Sequence, residues 1–147
     1  MGGSRDMTAT DYTGLDIGDI TDFESSSEMT HSAWYQFDST AVNTVTFCTK
    51  WAASSAGNMS WFMYVSGSAR MNCTYASNSN LVTYGSATLF ASLVNTTDWF
   101  NIAFTVTMGS APKMYVNGVE DSTTYISGTL PSGSDTFSTD AGHVVFG

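Results

Sequence analysis

Cationic side chains are nearly absent from this chain: Lys50, Lys113, Arg5 and Arg70 stand against thirteen acids, for a formal charge of -9. No basic stripe remains to follow a phosphate backbone or an anionic leaflet, which makes nucleic acid and membrane surfaces poor partners. Glutamate is limited to Glu24, Glu28 and Glu120, and lysine to two positions, so common helix formers are in short supply. No run approaches the ~20 apolar residues of a membrane span, and "MGGSRDMTATDY" has no apolar core that would make it a visible signal peptide. The chain holds just two prolines, which leaves it free to form many strands.

What is present suits β structure. Serine and threonine supply 21 residues each, and 14% of residues are aromatic. β-Branched and aromatic side chains fit a pleated surface. With 42% hydrophobic residues the composition is globular despite a charged fraction of 12%. A chain of 147 residues is the size of one domain and can bury roughly 68–70% of its unfolded surface. The expected organisation is a flexible N-terminal segment over residues 1–10 and one domain over 11–147.

Period-two runs recur at close intervals: "MTHSAWYQF", "TVTFCTKW", "SWFMYVS", "RMNCTY", "LVTY", "ATLFASLV", "WFNIAFTVT", "KMYVNG" and "HVVF". Ser, Gly and Asn clusters such as "AASSAGN" and "ASNSN" connect them. Short strands with a turn about every ten residues predict an antiparallel two-sheet sandwich. In "DWFNIAFTVTMGSAPKMYVNGVEDS", Phe100, Ile102, Phe104 and Val106 alternate with polar or small residues, which buries one face. Gly109 to Pro112 forms the first turn. Asn117-Gly118 forms the next, because a tight hairpin needs positive φ at both central residues.

Cys48 and Cys73 either form one bridge or stay unpaired and half-buried. Strand phase favours unpaired thiols: Val45, Phe47 and Trp51 set one face of their strand and leave Cys48 on the other, while Met71, Cys73 and Tyr75 share an apolar face. Asp6, Asp11, Asp16, Asp19 and Asp22 form an early acidic segment of a kind that can hold calcium. Its three-residue spacing does not fit an EF-hand loop, and a solvated acidic loop is the plainer reading.

The hairpin stretch resembles the pattern W-x-x-(apolar)-A, a short turn, then (apolar)-Y-(apolar)-(Asn or Asp)-Gly. That pattern is characteristic of laminin-G-like domains in the concanavalin A-like lectin and glucanase superfamily. "EMTHSAWYQFD", with Ala33 and Trp34 at matching places, and "HVVFG" resemble two further strands of such domains, so the likeness spans about residues 11–147. It implies a concanavalin A-like jelly-roll sandwich. Such domains usually begin with an extra strand before the element matched by Asp11-Tyr12, and they continue past the strand that here ends at Gly147. Either the final strand is absent, or the chain is a partial reading frame, or another copy or a larger assembly covers the exposed sheet edge.

The superfamily includes glucan hydrolases, which share a Glu-x-Asp-x-Glu strand. No such motif occurs here, and Glu120-Asp121 are neighbours whose side chains point to opposite faces. No Cys/His spacing suits zinc and no Gly-x-Ser-x-Gly elbow is present. A non-catalytic role is expected for an extracellular, virion or cell-surface module. It either binds a glycan or serves as a structural subunit. Trp61, Met63 and Val65 take the core phase, which leaves Phe62 and Tyr64 outward beside Arg70, Asn72 and Thr74 as a candidate sugar patch. The competing reading packs those rings under a loop or a neighbouring copy. His31 shares a face with Ala33, Tyr35 and Phe37, either as a satisfied structural histidine or as a ligand contact. Trp34 is expected in the core, with Trp51 and Trp99 at strand ends. Asn58, Asn72 and Asn95 open acceptor triplets for N-glycosylation.

Overall fold

A computed structural model describes residues 15–37, 45–51, 59–77, 80–139, 142 and 144–146. The expected terminal segment 1–10, the Asp11-Tyr12 element, His143, Gly147 and the acceptor Asn58 lie outside the described residues. The strands are β1 (Leu15–Asp16), β2 (Glu28–Tyr35), β3 (Val45–Trp51), β4 (Met59–Val65), β5 (Met71–Ala76), β6 (Leu81–Ser86), β7 (Phe100–Thr107), β8 (Lys113–Val116), β9 (Val119–Asp121), β10 (Thr123–Gly128) and β11 (Val144–Phe146). They form a seven-stranded sheet in the order β1-β11-β3-β4-β5-β6-β10 and a four-stranded sheet in the order β2-β7-β8-β9. Every pairing is antiparallel.

Alternation in β7 does what its sequence demands: Phe100, Ile102, Phe104 and Val106 are buried and the residues between them are not. Asn117 and Gly118 take φ of 51° and 78°, the pair of positive values that a tight hairpin needs. On the larger sheet Trp61, Met63, Val65, Met71, Cys73, Tyr75 and Val82 are fully covered. The Phe47 and Phe104 rings, 5.8 Å apart, join the two sheets. Each such ring taken out of water stabilises the fold by roughly 1.5–3 kcal/mol.

Three expectations change, and one strand adds to those expected. The run "ATLFASLV" is not a strand: it holds a 3-10 turn at Phe90–Ser92. Thr88 is tied to the Asp121 carboxylate there, while Phe90 plugs the core against Phe37 with ring centroids 5.0 Å apart. Cys48 faces inward, because register skips between Thr46 and Cys48, leaving Phe47 as an extra residue and pairing Cys48 with Met63. Both thiols are buried and unpaired, so that outcome stands for a different reason than phase. Trp34 is not in the core but 63% exposed. Finally, β10 forms an edge strand from "TTYISG", whose residues are almost all exposed and carry no alternation.

Gly128 ends β10 at φ 100°, where an added Cβ would overlap the carbonyl of Leu81, whereas Gly118 at φ 78° opens onto free space. Gly128→Ala is expected to lower stability by about 2–4 kcal/mol and Gly118→Ala by about 1 kcal/mol, since the second bears a conformational cost alone. Urea unfolding midpoints of the two variants check the difference.

Candidate functional site

On the outer face of the seven-stranded sheet, register sets Phe62 opposite Thr74 and Tyr64 opposite Asn72. The Phe62 and Tyr64 rings stack on one another, centroids 4.2 Å apart and planes within 12°. Both are half-buried. Asn72, 1% exposed, donates from Nδ2 to the Arg70 carbonyl at 3.3 Å, while its Oδ1 has no hydrogen-bond partner among the described residues. Gly85 sits beside it because a Cβ there would meet Asn72 Oδ1 and Ile126 Cδ1, each at 2.8 Å. Arg70 turns its guanidinium to the carbonyls of Ser86 and Ala87. Phe62, Tyr64 and Asn72 are therefore brought together, with Arg70 at the strand entrance and occupied by backbone. The burial of Asn72 closes that glycosylation triplet, whereas Asn95 is exposed.

His31 lies away from this patch, on the inner face of the four-stranded sheet. It shares that face with Tyr35, which is four residues along β2 and bonds its Nε2 at 3.0 Å. The Tyr35 hydroxyl donates onward to the Phe47 carbonyl at 3.2 Å. Because that hydroxyl proton is committed, Nε2 of His31 carries the hydrogen and donates. The acceptor carbonyl is available because Phe47 is the extra residue of the β3 bulge. Phe146 covers the imidazole at 5.5 Å between centroids. Burial lowers the His31 pKa from 6.5 to about 4, so the ring is neutral across the physiological range.

The sharper outward feature is on the other sheet. β2 sends Glu28, Thr30, Ser32 and Trp34 outward, in antiphase to Met29 and His31. Trp34 lies opposite Asn101, and Trp99, 50% exposed, stands in the residue just before β7. Asn101 Nδ2 donates to Ser32 Oγ at 3.0 Å. Gln36 Nε2 donates to the Thr97 carbonyl at 3.2 Å. Tyr115 pairs with Ala103 on the adjacent strand and extends the face. The sequence carried the signal for this surface: if His31, Tyr35 and Phe37 share the inner face, Trp34 must take the outer one. Trp51 sits at the end of β3.

The other candidate chemistry is dispersed. Glu28 begins β2, Glu24 follows a 3-10 turn at Thr21–Phe23, and Glu120 lies on β9 opposite Tyr115. Among the described residues no group of three or more His, Cys, Asp or Glu could hold a metal ion. Burial pushes the Cys48 thiol up to about 11, opposed by a weaker hydrogen bond from Trp61, and burial pushes Cys73 higher still. Neither is a thiolate at neutral pH. A shallow hollow of about 370 Å³ lies over Glu28–Thr30 and Thr105–Thr107.

Two antiparallel sheets packed face to face, with aromatic residues on both outer surfaces, define a concanavalin A-like jelly-roll sandwich. A laminin-G family model, described as Concanavalin A-like lectin/glucanases superfamily, matches residues 9–143, and the chain belongs to that family. No curated protein and no solved structure gives a significant match.

Two outcomes follow from the buried groups. Between pH 6.5 and about 4 the unfolded chain takes a proton that folded His31 refuses, so stability is lost as pH falls through that window. The contribution is at most roughly 3 kcal/mol. His31→Gln should flatten that part of the stability curve, read from urea midpoints at several pH values. A thiol reagent at neutral pH should leave the native protein unlabelled and modify both cysteines in denaturant. Rapid native labelling would contradict their burial.

Proposed function

We propose that the chain is a non-catalytic carbohydrate-binding or adhesion module working outside the cell or on a cell or virion surface, and that it holds a neutral glycan against the outer face of the four-stranded sheet. The observation that carries this reading is the exposure of Trp34 on β2 and of Trp99 in the residue just before β7. Indole rings stack on the apolar faces of pyranoses, and a few polar groups then read the hydroxyls. Ser32, Asn101 and Gln36 supply such groups beside the rings. Phe62 and Tyr64 offer a smaller surface, because each gives one ring face to the other.

A structural or assembly role is the second reading, and the β10 edge favours it. Tyr125 and Ile126 are exposed there on a strand paired on one side only among the described residues, and such an edge can accept another chain. A homo-oligomer or a larger assembly would be built through that edge.

A glycan array probed with and without calcium separates these roles and reports whether the acidic segment contributes a cation. Trp34→Ala is expected to weaken glycan binding at least about tenfold, a loss of ~1.4 kcal/mol, while Tyr64→Ala leaves it unchanged. The reverse pattern moves the site to the Phe62, Tyr64, Arg70 and Asn72 face. No binding in either condition, together with self-association in light scattering, gives the assembly role instead.

A further inference from the structure

Lys50 is the one fully buried cation among the described residues. Its Nζ lies 2.5 Å from Asp19 Oδ1, 3.1 Å from Glu24 Oε1 and 3.0 Å from the Gly142 carbonyl. Three separate parts of the chain converge on that nitrogen. β3 turns Lys50 inward between Trp61 of β4 and Val144 of β11. Asp19 is held by a bracket between β1 and β11: Ile17 N donates to the Val144 carbonyl at 3.0 Å, and Val144 N donates to the Gly18 carbonyl at 2.8 Å. Gly18, at φ 84°, makes the bend that carries the chain from that bracket to Asp19. Glu24 is delivered by the 3-10 turn, whose last N–H returns to the Thr21 carbonyl.

A buried ammonium between carboxylates is an expensive way to fasten a sheet edge, because desolvation offsets much of the attraction. The same contact is also a reactant pair. Within the contact the ammonium can pass a proton directly to the carboxylate, which yields the amine and carboxyl that condensation needs. Holding them in contact replaces a bimolecular encounter with a step inside one molecule. A second carboxyl within reach of the nitrogen supplies the proton carrier that amide formation requires.

We propose that Lys50 and Asp19 condense to an intramolecular isopeptide bond, with Glu24 carrying the proton. The Lys50 ammonium passes one proton across the contact to the Asp19 carboxylate, the freed lone pair of Nζ attacks Cγ, and the C–N bond forms. Glu24 takes a proton from the nitrogen and gives it to the Asp19 hydroxyl that leaves. The Cγ–O bond breaks and one water departs. Asp19 is 35% exposed on its outer side, which gives that water a way out. Nothing is oxidised or reduced. The product is a secondary amide, whose N–H can donate to Glu24 or to the Gly142 carbonyl. It removes the buried charge pair and ties the segment after β1 to β3 covalently. The two-residue strand β1 is then fixed at the sheet edge by more than its short ladder. As a cross-link, the bond also restricts the unfolded chain.

The intact mass of the full chain, purified under native conditions and measured after denaturation, tests the proposal. It is expected to be lighter than the calculated mass by one water, and proteolysis should yield a branched peptide joining the segments that contain Asp19 and Lys50. Glu24→Gln keeps the shape of that side chain but not its basicity. It should form the bond about a hundredfold more slowly and recover the full mass, and Asp19→Ala should recover it entirely. A wild-type chain of full calculated mass overturns the proposal, and so does a loss of water located in a succinimide without a branched peptide. Both readings use the wild-type chain, so a variant that fails to fold does not blunt the test.

Discussion

The register of β3 against β4 is the constraint on which the rest of the structure depends. Side chains on a strand alternate with period two, so a single extra residue exchanges the two faces from that point on. The pairing has two such irregularities: Phe47 is the extra residue of β3 between Thr46 and Cys48, and Ser60 is the extra residue of β4 opposite the step from Lys50 to Trp51. The first lets Phe47 and Cys48 both face the core, although they are consecutive. It also frees the Phe47 carbonyl, which Tyr35 uses and through which His31 is satisfied. The same shift of phase carries Lys50 inward to Asp19 and Glu24. Without it Lys50 would be solvated, Cys48 would face outward and the His31–Tyr35 pair would lose its acceptor.

Much of the fold could be read from alternation. β2, β4, β5, β7 and β8 lie where apolar and polar residues take turns, because each packs one face on the other sheet and the pattern records that burial. Asn117-Gly118 was legible because few residue pairs accept two positive φ values. β10 was not, since an edge strand that buries neither face has no pattern to leave. The Phe90 segment misled for the opposite reason: its apolar residues plug the end of the sandwich from a turn, and a short apolar run looks the same in either conformation. The β3 bulge leaves no mark in composition, so the Cys48 phase could not be seen.

The candidate site was legible unevenly. Phe62, Tyr64 and Asn72 stand together on an outer face, as the phase of β4 and β5 requires. The stacking of the two rings on each other depends on rotamers and lies beyond any pattern. Trp34 was assigned to the core by residue type, although the phase of β2 already placed it outside; where the two disagree on a strand, phase is the stronger guide because the backbone enforces it. His31 was ambiguous in sequence because a histidine suits a core or a site. Its burial against Phe146 and its bond to Tyr35 give it a structural place.

Charge narrows what the exposed aromatic faces suit. The chain is strongly acidic, and its cations are largely committed. Lys50 is buried between carboxylates, Arg70 spends its guanidinium on two carbonyls, and Lys113 stands 4.0 Å from Glu120. An anionic ligand would approach against the field of the whole protein and meet no pair of open arginines to hold it. A neutral, hydroxyl-rich ligand feels little of that field. It can gain from stacking, which needs no charge, and from amide and hydroxyl groups such as those of Asn101 and Ser32. The scarcity of cations that argues against a phosphate backbone argues, by the same physics, against sulfated or carboxylated glycans and for uncharged ones.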